Sequence, residues 1–132
     1  MDTARAVLIV DDDPSVLETM RVLLEGRAGF RVLTALGARG AARRLQGLDR
    51  LDVLVLDVDM FDDGAGAALC QTAMRGHPDV ALVAMSSDGQ GAMVPPASAA
   101  LLPKPFGAHD LLAAIEDAGR RARARREDVA IR

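Results

Sequence analysis

Tryptophan and tyrosine are missing from this chain of 132 residues, and three phenylalanines make aromatics only 2% of it. A core must then be built from Ala, Val, Leu and Met, which suits tightly packed layers of helix on sheet. Bases of a nucleic acid find no stacking platform. Cys70 is the only cysteine, which rules out a disulfide framework and a cysteine metal cage and reads as a buried helix residue. No apolar run approaches the length of a membrane span, and no secretory signal precedes the first strand-like stretch, so the expectation is a cytoplasmic protein with no membrane partner. The GxGxxG fingerprint is absent after that stretch, which argues against a dinucleotide site. A net charge of −3 is too mild to mark a nucleic-acid binder. The local run Arg120, Arg121, Arg123, Arg125 and Arg126 reads as a solvated helix end favoured by the negative C-terminal dipole, with nucleic-acid contact the minority reading.

What the chain does have is organised around residues 51–64, LDVLVLDVDMFDDG. An apolar run rich in Val and Leu, as in a strand buried on both faces, stops on the carboxylate of Asp57. Asp57 then stands at the C-terminal end of a strand, where open α/β sheets place their chemistry. Asp59, Asp62, Asp63 and Gly64 follow as a loop of oxygen ligands and turn formers.

Four more apolar runs read as strands: Ala6–Val10, Phe30–Thr34, Val80–Met85 and Ala99–Leu102. Pro103 after the last is tolerable at a sheet edge. Asp13 and Pro14 suit the N-cap and first position of a helix carrying Val16, Leu17, Met20, Leu23 and Leu24 at helical spacing. Further helices are expected over Gly40–Leu48, over Ala65–Arg75 with Ala68, Leu69, Thr72 and Ala73 as the buried stripe, and from about Ala108 into the arginine run. Met20, Met74 and Met85 read as core filler, and His77 and His109 as surface groups. Gly89–Ser98 is the least regular stretch, because Pro95–Pro96 forbids a long helix. Repeated β-α units with short helices imply a doubly wound five-stranded parallel sheet of order 2-1-3-4-5, a flavodoxin-like three-layer α/β/α domain over residues 5–120. Residues 121–132 form a basic helical extension or tail.

In that order the first and third strands are neighbours at the switch point, which brings Asp11 and Asp12 beside Asp57 and Asp59. Clustered carboxylates repel and raise one another's pKa values, a penalty that a hard divalent cation removes. The acidic triplet alone reads better as a helix cap; together with Asp57, a Mg²⁺ site open to a phosphoryl group leads. Lys104, held between Pro103 and Pro105, can supply a fixed positive charge to such a group.

These stretches resemble the receiver domains of response regulators in bacterial two-component signalling. The carriers are Leu8-Ile9-Val10-Asp11-Asp12-Asp13-Pro14, Val55-Leu56-Asp57-Val58-Asp59-Met60 with Gly64, Ser86 after the fourth strand, and Lys104-Pro105-Phe106. The resemblance implies that Asp57 accepts a phosphoryl group from a phosphohistidine on a sensor histidine kinase or histidine phosphotransfer protein. It implies that Asp12 and Asp57 bind Mg²⁺ through carboxylate oxygens, Asp59 through its backbone carbonyl, and Asp11 mainly through water. Ser86 would hydrogen-bond the aspartyl phosphate as the switch, and Lys104 would pair with a phosphate oxygen, its bond to Pro105 being cis. The side chain of Asp59, two residues after the acceptor, would bear on attack by hydrolytic water.

The chain also departs from the family pattern. Phe61 stands where proline is common, Leu101 where a switching aromatic is frequent, and the interval from Ser86 to Lys104 is short, with Pro95–Pro96 where a fourth helix belongs. The face used for output and dimerisation is therefore altered. The expected function is a phosphorylatable receiver that turns over no metabolite and acts on a downstream protein target, as a stand-alone regulator or phosphorelay intermediate; a homodimer stays open. Two alternatives compete. A degenerate receiver would bind a partner irrespective of phosphate. A haloacid-dehalogenase-like phosphatase would use Asp57 as nucleophile and Asp59 as acid/base, but that family places the motif on its first strand.

Overall fold

Each apolar run becomes a strand and each amphipathic run a helix packed on it. The computed structural model describes residues 4–27, 29–61, 64–87 and 93–131, with side chains as far as 128. Its elements are β1 (Arg5–Asp11), α1 (Pro14–Glu25), β2 (Phe30–Leu36), α2 (Gly37–Gly47), β3 (Val53–Asp57), a 3-10 turn (Val58–Met60), α3 (Ala65–Gly76), β4 (Ala81–Ser86), β5 (Ala100–Pro103) and α4 (Ala108–Ile131). The strands form one parallel sheet in the order β2-β1-β3-β4-β5, as the sequence predicts. Residues of β1, β3 and β4 are buried almost throughout, because helices cover both faces. Leu8, Val10, Leu54 and Leu56 face the α2/α3 layer, and Val7, Ile9, Val53 and Val55 face the α1/α4 layer. The edge strand β5 alternates instead: Ala100 and Leu102 are buried, Leu101 and Pro103 exposed.

Local chemistry sets the ends that matter. Asp13 caps α1 by accepting from the Ser15 N–H at 2.9 Å, with Pro14 in the first turn. Asp57 ends β3 and accepts from the Asp59 N–H at 2.9 Å, which starts the 3-10 turn. Gly64 enters α3 with φ 86°, a backbone region that L side chains resist.

Some expectations are met and others corrected. As the proline pair predicts, no helix lies between β4 and β5 among the described residues. Pro95–Pro96 sits in that connection and removes two backbone donors; residues 89–92 of the irregular stretch lie outside the described residues, as do Asp62, Asp63 and Asp88. Met93 and Phe61 are buried there on the α2/α3 face. They press on Gly66, where a Cβ would overlap the Met93 sulfur and come within 2.8 Å of the Phe61 ring. The buried stripe of α3 is accordingly Gly66, Leu69, Cys70 and Ala73, with Ala68 and Thr72 exposed. Helix α2 begins at Gly37, earlier than periodicity suggests, because burial of Ala41 and Leu45 outweighs the poor propensity of its glycines. β2 runs on to Leu36 through its pairing with Val10 and Asp11. Met20 and Met85 are buried and Met74 half-buried, as expected of core filler.

The arginine run is not simply a solvated helix end. Arg125 reaches under the sheet and donates to the carbonyls of Pro78 and Val80 at 2.9 and 2.8 Å and to Ser98 Oγ at 2.9 Å. Arg126 pairs with Asp79 at 2.7 Å and Arg121 with Asp117 at 2.9 Å. Burial pushes the Arg125 guanidinium below its ordinary pKa, opposed by Asp79. The Arg125 and Arg126 bonds fasten the last turns of α4 to the N-terminal end of β4, at the opposite end of the sheet from Asp57.

Candidate functional site

The parallel register of β1 and β3 pairs Val10 with Leu56, so the residues that follow, Asp11 and Asp57, emerge side by side at the C-terminal edge. Both are buried, at 1% and 5% exposure, and they are the only buried charged side chains among the described residues. Asp12 is exposed and completes the group: one carboxylate oxygen from each of Asp11, Asp12 and Asp57 lies within 4.8 Å of the others.

Lys104, the only lysine of the chain, follows β5 and reaches across to this cluster. Its Nζ donates to Asp57 Oδ2 at 2.9 Å and lies 3.8 Å from Asp11 Oδ2. The Lys104–Pro105 bond is cis, and the Lys104 N–H donates to the Ser86 carbonyl at 2.8 Å, tying the lysine to the end of β4. Burial works against the ammonium, but the hydrogen bond and charge of Asp57, with the charges of Asp11 and Asp59, outweigh it and hold its pKa above the ordinary value.

Asp57 is satisfied on both oxygens, Oδ1 by the Asp59 N–H and Oδ2 by Lys104. Asp11 is not. Its Oδ1 accepts from the Asp13 N–H at 3.0 Å, while Oδ2 is buried with no hydrogen-bond partner, the lysine being too far to make one. Burial chiefly, then the charge of Asp57, pushes the Asp11 carboxyl up to about 6 against the opposing Asp13 N–H and Lys104. An orphaned carboxylate oxygen beside two further carboxylates has the chemistry of a hard-cation donor set, so these residues fit a divalent metal of the Mg²⁺ type.

Asp59 and Ser86 arrive at the same edge, and while the Asp59 N–H bonds to Asp57, its side chain bonds to the serines that end β4. The Asp59 carboxylate accepts from the Ser87 N–H at 2.8 Å, from the Ser87 hydroxyl, and from the Ser86 hydroxyl at 3.4 Å. The Ser87 donors hold the Asp59 carboxyl below the usual carboxylate range, aided by Lys104. Ser87 carries no role in the sequence reading; its one signal is a second hydroxyl immediately after the strand end.

With this geometry in hand, the profile of the family described as "Response regulator receiver domain" matches residues 7–116. The chain belongs to the response regulator receiver family. Solved receivers share the fold. One described as a response regulator receiver domain protein from Clostridium thermocellum is 25% identical, with TM-score 0.70, covering 91% of this chain and 98% of that one. A response regulator receiver protein from Sinorhizobium medicae WSM419 is 23% identical, with TM-score 0.73, covering 90% and 97%. The chemotaxis response regulator CheY4 of Vibrio cholerae is 22% identical, with TM-score 0.70, covering 88% and 99%. No curated protein matches the chain. As a receiver, the chain is a module of phosphoacceptor signalling rather than a conventional enzyme. No helix among the described residues is long and apolar enough to cross a membrane.

Proposed function

We propose that this receiver takes a phosphoryl group from a phosphohistidine onto Asp57 and changes conformation to control a downstream protein. The observation that carries this reading is the pairing of a nearly buried Asp57 carboxylate with Lys104 Nζ at 2.9 Å, beside the orphaned Asp11 oxygen. In the transfer, an Asp57 carboxylate oxygen forms the new bond to phosphorus as the P–N bond of the phosphohistidine breaks. The imidazole nitrogen keeps the electron pair, takes a proton from solvent if needed and leaves neutral. Lys104 is already placed against one Asp57 oxygen, where it balances charge on the phosphoryl oxygens. The Asp59 N–H holds the other oxygen and fixes the carboxylate orientation. Mg²⁺, held by the carboxylates of Asp12 and Asp57 and the backbone carbonyl of Asp59, with Asp11 acting through water, would supply further positive charge to the transferring group.

The donor is then a sensor histidine kinase or histidine phosphotransfer protein in the cytoplasm, with residues 5–120 as the receiver and 121–132 as the extension of α4. Phosphorylation-independent partner binding is the second reading. It is favoured by the helix-free link from β4 to β5 among the described residues and by Leu101, 67% exposed in place of an aromatic. The phosphatase reading loses ground because Asp57 ends the central third strand. Intact mass after incubation with acetyl phosphate decides between the first two. A Mg²⁺-dependent phosphoryl adduct absent from Asp57→Asn supports the acceptor; a folded protein that takes no adduct supports the second reading.

A further inference from the structure

Asp59 spends its side chain differently from the carboxylates around it. Asp11, Asp12 and Asp57 converge on one point, whereas the Asp59 carboxylate turns to the end of β4 and gathers the Ser87 N–H, the Ser87 hydroxyl and the Ser86 hydroxyl. Bonds to an ionised acceptor are the strong ones, roughly twice neutral pairs, and here the Ser87 donors make them, while the Ser86 hydroxyl at 3.4 Å makes a longer, weaker contact. The neighbouring backbone is tied on both sides: Met85 pairs with Asp57, and the Ser86 carbonyl accepts from the Lys104 N–H. The serine pair is thus held by the carboxylate two residues after the acceptor.

We propose that Asp59 is a positioning residue that clamps Ser86 and Ser87 in the unphosphorylated receiver and competes with the Asp57 phosphoryl group for their donors. The proposal rests on the receiver reading above. A hydroxyl has one hydrogen to donate, so the Ser86 hydroxyl cannot give it to Asp59 and to a phosphoryl oxygen together. Phosphorylation also places a second anion close to the Asp59 carboxylate, and like charges there disfavour keeping the clamp closed. The clamp favours the free state, and anything that favours the free state lowers affinity for whatever binds the other one. Opening it by mutation therefore raises the affinity for a phosphoryl mimic. Ser87 enters as a residue with a function, the half of the clamp whose removal leaves the charge near Asp57 unchanged.

The test is beryllofluoride binding in the presence of Mg²⁺, followed by NMR on the full chain, for the wild type, Asp59→Ala, Ser87→Ala and the double variant. Amide exchange at residue 87 is measured on the free proteins. The clamp predicts roughly tenfold tighter binding for Asp59→Ala, a smaller gain in the same direction for Ser87→Ala, and a double variant no tighter than Asp59→Ala alone. It also predicts faster exchange of the residue 87 amide in Asp59→Ala. An effect of Asp59→Ala with none of Ser87→Ala, or effects that add, would mean that Asp59 acts through its charge alone, and the clamp is wrong while the receiver reading stands. Equal affinities in all four proteins have the same consequence. A folded wild type that binds no beryllofluoride overturns both.

Discussion

Replacing Asp11 by Asn should stabilise the metal-free protein. The wild-type carboxylate is 1% exposed, has one oxygen without a partner, and faces Asp57. Raising its pKa from 3.8 to about 6 corresponds to about 3 kcal/mol of cost to the folded state at neutral pH. Water reaches the cluster at the exposed Asp12 and screens it, so about 1–2 kcal/mol is the expected gain. The Asn side chain keeps an acceptor for the Asp13 N–H and can donate to a neighbouring carboxylate. The folded carboxyl holds its proton up to about 6, whereas the unfolded one has released it above 3.8. Wild-type stability from this group therefore falls as pH rises between those values and stays low above them. Urea denaturation with EDTA, followed by circular dichroism across this range, should show Asp11→Asn more stable at pH 7.5, with the advantage vanishing as the pH approaches 4. Added Mg²⁺ should stabilise the wild type more than the variant. A variant less stable at pH 7.5 without metal, or a gain independent of pH, would refute the claim that the Asp11 charge is desolvated and only partly compensated by Lys104.

Gly66→Ala places a methyl group into Met93 and the Phe61 ring and should cost about 1–3 kcal/mol, measured by denaturant midpoint, with Met93→Ala in the same chain recovering part of the loss. Lys104→Met removes the cation from Asp57 and Asp11 and should destabilise the metal-free protein by about 1–2 kcal/mol at pH 7.5, less as the pH falls and Asp11 takes a proton; the same urea series reads it. Arg125→Met strips donors from the Pro78 and Val80 carbonyls and should cost about 1–3 kcal/mol of unfolding free energy while leaving the yield of phosphorylated protein unchanged, since it lies at the opposite end of the sheet from Asp57.

The architecture was legible because apolar runs bounded by turn residues are a strong signal, and because strands ending on Asp11, Asp57 and Ser86 identify one edge of the sheet. Asp13 as cap and Pro103 on an edge strand were local chemistry that tertiary packing had no reason to override. Other features depended on partners distant in sequence. The stripe of α3 shifted to Gly66 and Cys70 because Phe61 and Met93 occupy the space beside it, and no periodicity within α3 records their arrival. Arg125 read as one of a charged run, since nothing local marks the two carbonyls 45 and 47 residues away that claim it. At the site, the residue types were readable from sequence, but the partners were not. That Asp59 turns to Ser87 while Asp11 keeps a bare oxygen follows from side-chain geometry at the edge of the sheet.

The central claim is that Asp57 is the acceptor, and an acyl phosphate can be trapped where it forms. After incubation with acetyl phosphate and Mg²⁺, borohydride reduction should convert the residue at position 57 to homoserine, located by peptide mass and absent when Mg²⁺ or acetyl phosphate is omitted. Homoserine at another aspartate would contradict the assignment of Asp57, and none at all on a protein shown to be folded would leave phosphorylation-independent partner binding as the function.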